Sequence, residues 1–341
     1  MHIFQFKKVF LVHSQATGLI AAKVMQKKVF TENEWKAADI LMIGEPIPFV
    51  AQFIEARKVD DYIIFFISFA NLKSLDHLIM RNCFLSSGCI RAIAKQLLEG
   101  IRLIHSRGLV HRDLKGPNIL FHCPKGSDHV IIKIADFGLV KFQDQFMKSM
   151  KISAKGTPLN MAPELVLGDG KADAKIDIWS IGVVLYQLAG HENPIKAKSF
   201  FQLRTMMRNK AITRPSAIRD NLLWDLLTNL LQFDRKERFS AEQALQHPYF
   251  TGPQAQNEIC DEAKQIAAQA QLAKQNGDTS ITIYDCDSSF VICGNEIKIA
   301  LKYNPDVDLQ PIYQEIEPIK EKSFKYAIQF TFNFSFQFAL I

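Results

Sequence analysis

The sequence has little cysteine, and its cysteines follow no recognisable framework. Among 341 residues there are six, with no C-x-x-C pair and with irregular intervals between them. This pattern indicates neither a disulfide scaffold nor a cysteine-ligated zinc site. We therefore expect six reduced thiols in a cytoplasmic protein. They are Cys83, Cys89, Cys123, Cys260, Cys286 and Cys293.

Long hydrophobic runs are also missing. The apolar run over residues 62–70 is shorter than the roughly 18 apolar residues that a membrane helix needs. The extreme C-terminus alternates apolar with polar residues instead. Lys7 and Lys8 interrupt the apolar N-terminal segment, whereas a secretory signal needs an unbroken one. The sequence thus predicts no membrane span and no secretion.

No charge of one sign dominates the composition. The 41 basic and 35 acidic residues leave a net charge of +6, which suits an acidic small ligand such as a nucleotide but predicts no nucleic-acid surface. Hydrophobic residues make up 48% and charged residues 22%, which excludes disorder throughout the chain. At roughly 150 residues per domain, the length indicates two domains, or one bilobal domain with an appendage.

Residues 1–70 predict a small sheet with one helix. Two runs rich in β-forming residues flank Thr17 and Gly18, a pattern typical of a hairpin. Thr31 and Glu34 supply the N-cap pattern of a helix that reaches about Met42. The continuous apolar run over 62–67 predicts a strand that is buried on both faces.

Residues 71–250 predict mainly helices. Apolar side chains recur at helical spacing over 90–104, and residues 176–188 are apolar nearly all round. Shorter helices are predicted over 222–231 and 241–245, and a boundary is expected near Phe250.

Beyond Phe250 the composition changes. An exposed helix or helical linker is expected over the Ala/Gln-rich residues 254–276. Strands are predicted over 280–283, 290–293 and 297–302. Phenylalanines at every second position from Phe330 to Phe338 predict a further strand with one apolar face, which must pair with another strand or aggregate.

The residues that carry chemistry lie on two loops. The run from His111 to Leu120 reads His-Arg-Asp-Leu-Lys-Gly-Pro-Asn-Ile-Leu, and Asp136 begins an Asp-Phe-Gly triplet 18 residues after Asn118. Phosphoryl transfer from a nucleotide needs a carboxylate that accepts the proton of the attacking hydroxyl, and oxygen ligands for Mg²⁺. Two acidic side chains and an amide on neighbouring loops supply this inventory.

Four motifs in a fixed order carry a resemblance to the eukaryotic protein kinase family. H-R-D-L-K-x-x-N and D-F-G are followed by A-P-E, which ends at Glu164, and by D-x-W-S-x-G, which begins at Asp177. The likeness covers residues 4–250. The lysine of the first motif and the Gly-Thr pair before A-P-E are similar to the serine/threonine branch of the family.

The resemblance implies a fold and an activity. The fold is α+β and bilobal, with a small, β-rich and incomplete N-lobe over 1–70, a larger helical C-lobe over 71–250 and a C-terminal extension over 251–341. The activity is that of a serine/threonine protein kinase, which uses ATP and Mg²⁺ to phosphorylate protein substrates.

The resemblance also implies roles for individual residues. The catalytic group is Asp113 as base, Lys115 as γ-phosphate contact, Lys23 as partner of the α- and β-phosphates, and Thr157, which helps to hold Asp113 and Lys115. The Mg²⁺ ligands are Asn118 and Asp136. The adenine site comprises Val9, Ala21 and Leu120 around the ring, Ile67 as gatekeeper, and the backbone of residues 68–70, including Ser68 and Ala70. Glu164 and Arg238 resemble a buried ion pair that fixes the activation segment.

The glycine-rich loop of the family is missing. His2, Phe4 and Lys7 stand at the glycine positions. From the resemblance we expect an incomplete first strand, as in a truncated reading frame. Because glycines let backbone amides approach phosphates closely, we expect weakened nucleotide affinity.

A second departure concerns the helix carboxylate that pairs with Lys23 in the family. Its position holds Ala37, so Glu34, one turn earlier on the same face, or less readily Asp39, would have to substitute. An active kinase therefore competes with a pseudokinase scaffold that binds nucleotide or protein partners without turnover. A small-molecule kinase of related fold is a third alternative.

Two regulatory expectations follow from the resemblance. Arg112 beside the base is typical of kinases that are switched by activation-loop phosphorylation, and Ser153 lies where the phosphate would be placed. Residues 251–341 could bind a regulatory partner, dock on the kinase lobes, form a poorly ordered extension, or reflect an imperfect gene model.

Overall fold

A four-stranded antiparallel sheet and one helix form the small lobe. The computed structural model describes residues 7–14, 18–30, 32–142, 159–168 and 173–312. The strands, in the spatial order β1-β2-β4-β3, are β1 (Lys7–Ser14), β2 (Gly18–Gln26), β3 (Phe53–Val59) and β4 (Tyr62–Ser68), and helix α1 (Glu32–Met42) lies between β2 and β3 in the chain. Gly18 has a φ of +73°, a left-handed conformation that glycine adopts without steric strain. The predicted hairpin, helix and apolar strand are confirmed.

Strand β3 has no counterpart in the sequence prediction. Its residues Glu55, Arg57 and Lys58 interrupt the apolar pattern, and most of the strand is solvent-accessible. As an edge strand that pairs only with β4, it needs no continuous apolar run. The periodicity that identifies buried strands therefore misses it.

Helices dominate the large lobe. They are α2 (Leu75–Met80), α3 (Ser87–Ser106), α4 (Pro163–Leu167), α5 (Lys175–Gly190), α6 (Phe200–Asn209), α7 (Asn221–Leu230), α8 (Ala241–Leu245) and α9 (Pro248–Thr251), with the short strands β5 (Leu109–Val110), β6 (Ile119–His122), β7 (His129–Ile134) and β8 (Lys141–Phe142). The helices predicted at 90–104, 176–188, 222–231 and 241–245 are all present. Gly182 in α5 lies so close to Leu231 that an added Cβ would be 2.8 Å from its side chain, so the glycine of D-x-W-S-x-G is required by packing.

Backbone hydrogen bonds hold the chain at two places where the lobes meet. In the segment that follows β4, Leu72 N–H donates to the carbonyl of Phe121 at 3.0 Å, and Phe121 N–H donates to Lys73 at 3.2 Å. In the loop between α1 and β3, the carbonyl of Phe49 accepts from Ile134 N–H at 2.9 Å. These bonds fix both connecting segments against strands β6 and β7 and so define the cleft between the lobes.

Residues after α9 pack against the large lobe. They form α10 (Pro253–Asn257), α11 (Asp261–Gln275), β9 (Ile292–Cys293), α12 (Gly294–Leu301) and α13 (Pro305–Asp308). Strand β9 pairs with β7, and the fully buried amide of Gln96 in α3 donates to the carbonyls of Val130 and Phe290 at 3.2 and 2.6 Å. The Tyr284 hydroxyl donates to Glu99 at 2.7 Å. Through residue 312, the extension is thus docked on the lobe.

Two strand predictions in the extension are wrong. Residues 280–283 form turns, because the side chains of Asp278 and Asp285 accept hydrogen bonds from the backbone of Ser280 and Thr282 and compete with strand pairing. Residues 297–301 belong to helix α12.

The apolar residues of α12 follow the helical period. Ile297 and Leu301, four residues apart, are fully buried, whereas Ile299 is 76% exposed. Of the strand predicted over 290–293, only residues 292–293 form one, which is β9. The helical prediction over 254–276 is confirmed as α10 and α11. The phenylalanine-rich segment 330–338 lies outside the described residues. Within the described part of the chain, no helix is both long and apolar enough to cross a bilayer.

Candidate active site

Lys23 joins the small lobe to the Asp-Phe-Gly loop. Its Nζ contacts Glu34 Oε1 on α1 and lies 2.6 Å from Asp136 Oδ1. Burial alone would lower the pKa of Lys23, but the negative charges of Glu34 and Asp136 raise it above its ordinary value. The lysine therefore stays protonated, and three charged groups from β2, α1 and the loop are held together.

The carboxylate on α1 is Glu34. At the position one turn later, where the family resemblance places it, Ala37 is fully buried. Asp39 is exposed, so it does not take the role. In the structure Glu34 takes the place of the missing carboxylate, as the helical spacing allowed.

Asp113 lies at the centre of a hydrogen-bonded loop between β5 and β6. Lys115 Nζ lies 3.0 Å from Asp113 Oδ2 and 3.2 Å from its Oδ1. Asn118 Nδ2 donates to Asp113 Oδ2 at 3.0 Å and to its backbone carbonyl at 2.8 Å. The Asp113 side chain keeps 25% of its surface exposed, so a substrate hydroxyl can reach it. Because the amide nitrogen of Asn118 makes both bonds, its side-chain oxygen remains for another ligand.

Asp177 anchors this loop from the N-terminal turn of α5. Its carboxylate accepts from the backbone N–H groups of His111 and Arg112, each at 2.8 Å, and lies 2.9 Å from His105 Nε2. Burial opposes ionisation of Asp177, but the hydrogen bonds and the neighbouring histidines hold its pKa below the ordinary value. The sequence pointed to Asp177 only as part of a motif and did not show which backbone groups it holds.

His111 links the two loops. Its Nε2 lies 3.1 Å from the Ala135 carbonyl, its Nδ1 accepts from Asp113 N–H at 3.3 Å, and its ring meets that of Phe137 edge to face. Burial lowers the pKa of His111, so the ring is neutral, as an accepting Nδ1 requires. Asp136 adopts a left-handed conformation (φ 64°) and caps the 3-10 helix Phe137–Leu139.

The residues predicted to contact adenine lie largely on one face of the sheet. Val9 is paired with Lys23, and Ala21 is paired with Ile67, so these four side chains point to the same side. Leu120 is half-buried on β6 and bridges to the segment after the predicted hinge.

The predicted hinge is placed between the lobes with one difference. Ser68 N–H donates to the carbonyl of Gln52 at 2.8 Å, so this donor is already used inside the small lobe. Ala70 is half-buried in the segment that connects the lobes. Thr157 lies outside the described residues, and so does Ser153.

A cavity of about 250 Å³ lies behind the charged cluster. Lys23, Glu34 and Asp136 line it together with Phe65, Ile67 and other apolar side chains of α1 and the loop before β3. No sequence pattern predicted this cavity, because its walls come from segments whose contact depends on the packing of α1 against β4.

Glu164 and Arg238 form a buried, two-pronged ion pair. Arg238 Nη1 and Nη2 donate to Glu164 Oε1 and Oε2 at 2.8 and 3.0 Å. Arg238 also donates to the carbonyls of Lys175 and Gln232, and its guanidinium lies 5.2 Å from the ring centre of Trp179. The pair attaches α4, at the end of the A-P-E motif, to the body of the large lobe.

These loops and lobes correspond to a known family. A family model described as a protein kinase domain matches residues 5–250. The chain belongs to the protein kinase domain family. Several curated relatives are serine/threonine kinases, and the chain spans half or less of the length of the relatives described next.

Three relatives illustrate the extent of the similarity. A probable serine/threonine-protein kinase of Dictyostelium discoideum is 36% identical over 189 residues, which cover 52% of this chain and 29% of the relative. Human serine/threonine-protein kinase ULK1 is 35% identical over 171 residues, 48% of this chain and 16% of the relative. The carbon catabolite-derepressing protein kinase of Candida glabrata is 27% identical over 326 residues, 91% of this chain and 50% of the relative.

The side chains of Asn118 and Asp136 carry oxygen atoms of the type that binds Mg²⁺. Mg²⁺ prefers oxygen ligands and in kinases is bound by one or two protein side chains together with substrate phosphates. In the described part of the chain, no group of three or more histidine, cysteine or acidic side chains could hold a metal by itself. A site of one carboxylate and one amide therefore suits an ion that arrives with a nucleotide.

We predict that Glu34→Gln lowers kinase activity by about 10- to 100-fold, because Lys23 loses the charge that fixes its position for the phosphates. Asp39→Asn on the same helix is the matched control, since Asp39 is exposed, and it should change activity less than about twofold. Steady-state phosphorylation rates at saturating ATP measure both. Equal losses in the two variants would show that Glu34 has no special role.

Proposed function

We propose that this chain is a serine/threonine protein kinase that transfers the γ-phosphoryl group of ATP to hydroxyl groups of proteins. The observation that carries the proposal is the Lys23 ammonium held between Glu34 and Asp136. This arrangement joins helix α1 of the small lobe to the Asp-Phe-Gly loop, and phosphoryl transfer in the family requires that alignment. A pseudokinase would not need this alignment. The named serine/threonine kinases among the relatives support the same activity.

In this proposal each loop residue has a separate chemical role. Asp113 orients the substrate hydroxyl and accepts its proton, and Lys115 stabilises negative charge on the transferred phosphoryl group. Asn118 and Asp136 hold Mg²⁺, which when bound neutralises charge on the phosphates. Thr157 is proposed to support Asp113 and Lys115.

The nucleotide is proposed to lie under the small sheet. Val9, Ala21 and Leu120 would enclose the adenine ring, with Ile67 at the back and the backbone of 68–70 at its edge. Lys23 would contact the α- and β-phosphates. Because the glycine positions hold larger residues, we expect a high KM for ATP rather than a low kcat.

The organisation and location of the protein are part of the proposal. We assign 1–70 and 71–250 to the two kinase lobes and 251–341 to an extension that could also serve a regulatory partner. A cytoplasmic location is compatible with the six free thiols.

The test is phosphoryl transfer by the full chain with Mg·ATP and a generic basic protein substrate, followed by identification of the phosphorylated amino acids. Phosphoserine and phosphothreonine are expected. Phosphotyrosine alone would contradict the serine/threonine assignment. Nucleotide binding without transfer to any protein, including the chain itself, would support the scaffold alternative instead.

We predict that Ser153→Ala lowers the activity of enzyme purified without phosphatase treatment by about 10-fold or more, because phosphoserine would pair with Arg112 and order the segment. Arg112 Nε is buried and has no hydrogen-bond partner among the described residues, so it has capacity for a phosphate. Phosphatase treatment should lower wild-type activity to the level of the variant. Unchanged activity in Ser153→Ala would show that this switch is absent.

A further inference from the structure

Two thiols from distant parts of the extension lie in contact. Cys260 Sγ and Cys293 Sγ are 3.2 Å apart, although 33 positions separate them in the chain. Cys260 caps the N-terminus of α11, where its sulfur accepts from Ala263 N–H, and Cys293 ends strand β9. Sequence intervals gave no reason to pair them, because the contact depends on the packing of α11 against β9.

The two thiols differ in their surroundings. Cys260 is exposed, whereas Cys293 is buried in a small apolar cluster with Ala263, Ala267 and Val291. Burial, and then the hydrogen bond with Cys260, raise the pKa of Cys293 well above its ordinary value. Cys260 is therefore the sulfur that an oxidant reaches first, and Cys293 is a protonated partner directly beside it.

Among the described residues, a sulfur–sulfur contact as short as this is found for none of the other four cysteines. Cys83 and Cys123 donate to the backbone carbonyls of Ala300 and Ser127, and Cys286 is half-buried. Cys89 lines the same small cavity as the pair, but it is buried, and burial and the charge of Glu296 raise its pKa, so an oxidant reaches the exposed Cys260 first.

We propose that Cys260 and Cys293 form a reversible redox site that a hydroperoxide converts into a disulfide. In the first step the Cys260 sulfur attacks the peroxide oxygen, the O–O bond breaks, and Cys260 becomes a sulfenic acid while water or an alcohol leaves. In the second step the Cys293 sulfur attacks the Cys260 sulfur. The S–O bond breaks, and the hydroxide leaves with the Cys293 proton as water. A small-molecule dithiol restores both thiols by exchange.

The crosslink would close a loop that contains α11 and the docked turns of the extension. That loop carries Phe290 and Tyr284, whose rings pack against Phe49 in the loop between α1 and β3. A disulfide that closes a loop of this length removes freedom from the unfolded chain, so the oxidised protein should unfold at a temperature higher by roughly 5 °C. The unfolding temperature does not depend on kinase activity, so this measurement tests the redox site independently of the proposed function.

The experiment treats the full chain with hydrogen peroxide, blocks free thiols, and maps disulfides by peptide mass spectrometry. The expected product is one Cys260–Cys293 peptide that disappears after dithiothreitol, with a matching rise and fall of the unfolding temperature. Cys260→Ser should abolish both effects without impairing folding, since serine is a good N-cap residue. Cys286→Ser is the matched control and should behave as the wild type.

Three outcomes would overturn the proposal. The first is a wild-type chain that forms no Cys260–Cys293 peptide. The second is crosslinking of Cys260 to Cys89 or Cys286 in equal yield. The third is conversion of Cys260 to sulfinic acid without a disulfide, which would show that Cys293 does not reach it in solution.

Discussion

Asp113→Asn is expected to lower the rate of phosphoryl transfer by about 10³-fold while leaving nucleotide binding close to that of the wild type. Asparagine is nearly the same size as aspartate but cannot accept the proton of the attacking hydroxyl. The bond from Asn118 to the backbone carbonyl of residue 113 survives the change, and so do the bonds from the backbone of His111 and Arg112 to Asp177, so the loop stays anchored. The loss should therefore be in kcat and not in the KM for ATP.

The geometry around Asp113 makes the measurement specific. Both Lys115 and Asn118 donate to Oδ2 of the carboxylate, so an asparagine whose amide oxygen takes this place can still accept from both. Only the second contact of Lys115, to Oδ1, is lost. Single-turnover rates measure the chemical step, and thermal stabilisation by Mg·ATP measures binding. Asp128→Asn, an exposed aspartate of the same lobe, should leave both unchanged. An Asp113→Asn chain with wild-type transfer rates would exclude Asp113 as the base.

Arg238→Met is expected to destabilise the chain by about 3–5 kcal/mol. Arg238 is 0% exposed and Glu164 is 5% exposed, so the substitution leaves a buried carboxylate without its counter-charge. The carbonyls of Lys175 and Gln232 lose their donor as well. Because the side chains of methionine and arginine have similar apolar stems, the effect reports mainly on the charge and its hydrogen bonds.

Urea unfolding of the full chain measures this difference. The double variant Glu164→Leu with Arg238→Met should recover a large part of the loss, since no unpaired charge remains. Lys264→Met removes a surface pair with Asp261 and should change the free energy of unfolding by no more than about 1 kcal/mol. A loss below about 1 kcal/mol in Arg238→Met would contradict the view that this buried pair contributes strongly to stability.

Local patterns predicted those helices and strands in which the apolar positions of the sequence are the buried positions of the structure. The hairpin around Gly18, the amphipathic helix α3 and the all-apolar helix α5 follow directly from periodicity. Strand β3 was missed because an edge strand tolerates charged side chains on most of its positions. Helix α12 was mistaken for a strand because Ile297 and Ile299 alternate, whereas the pair Ile297 and Leu301 is the one that is buried.

The sequence was enough to name the residues of the candidate site, but it did not predict which of them are in contact. The motifs named Asp113, Asn118 and Asp136, and helical spacing allowed Glu34 to replace the carboxylate missing at Ala37. The contact of Glu34 with Lys23 depends on how α1 packs on the sheet, which no local pattern records. The anchoring of the loop by Asp177 likewise joins residues more than sixty positions apart, as the 65- and 66-residue separations of its backbone bonds show.

The docking of the extension has a consequence for the minimal folding unit of this protein. Trimming the chain at the end of the matched region would remove one acceptor from the buried amide of Gln96 and would strip Ile292, Ile297 and Leu301 from the core they share with α3. The shortest autonomous fragment is therefore expected to run past Leu309, which is itself buried. The end of the region that the family model matches and the end of the cooperative folding unit are therefore expected to fall at different residues.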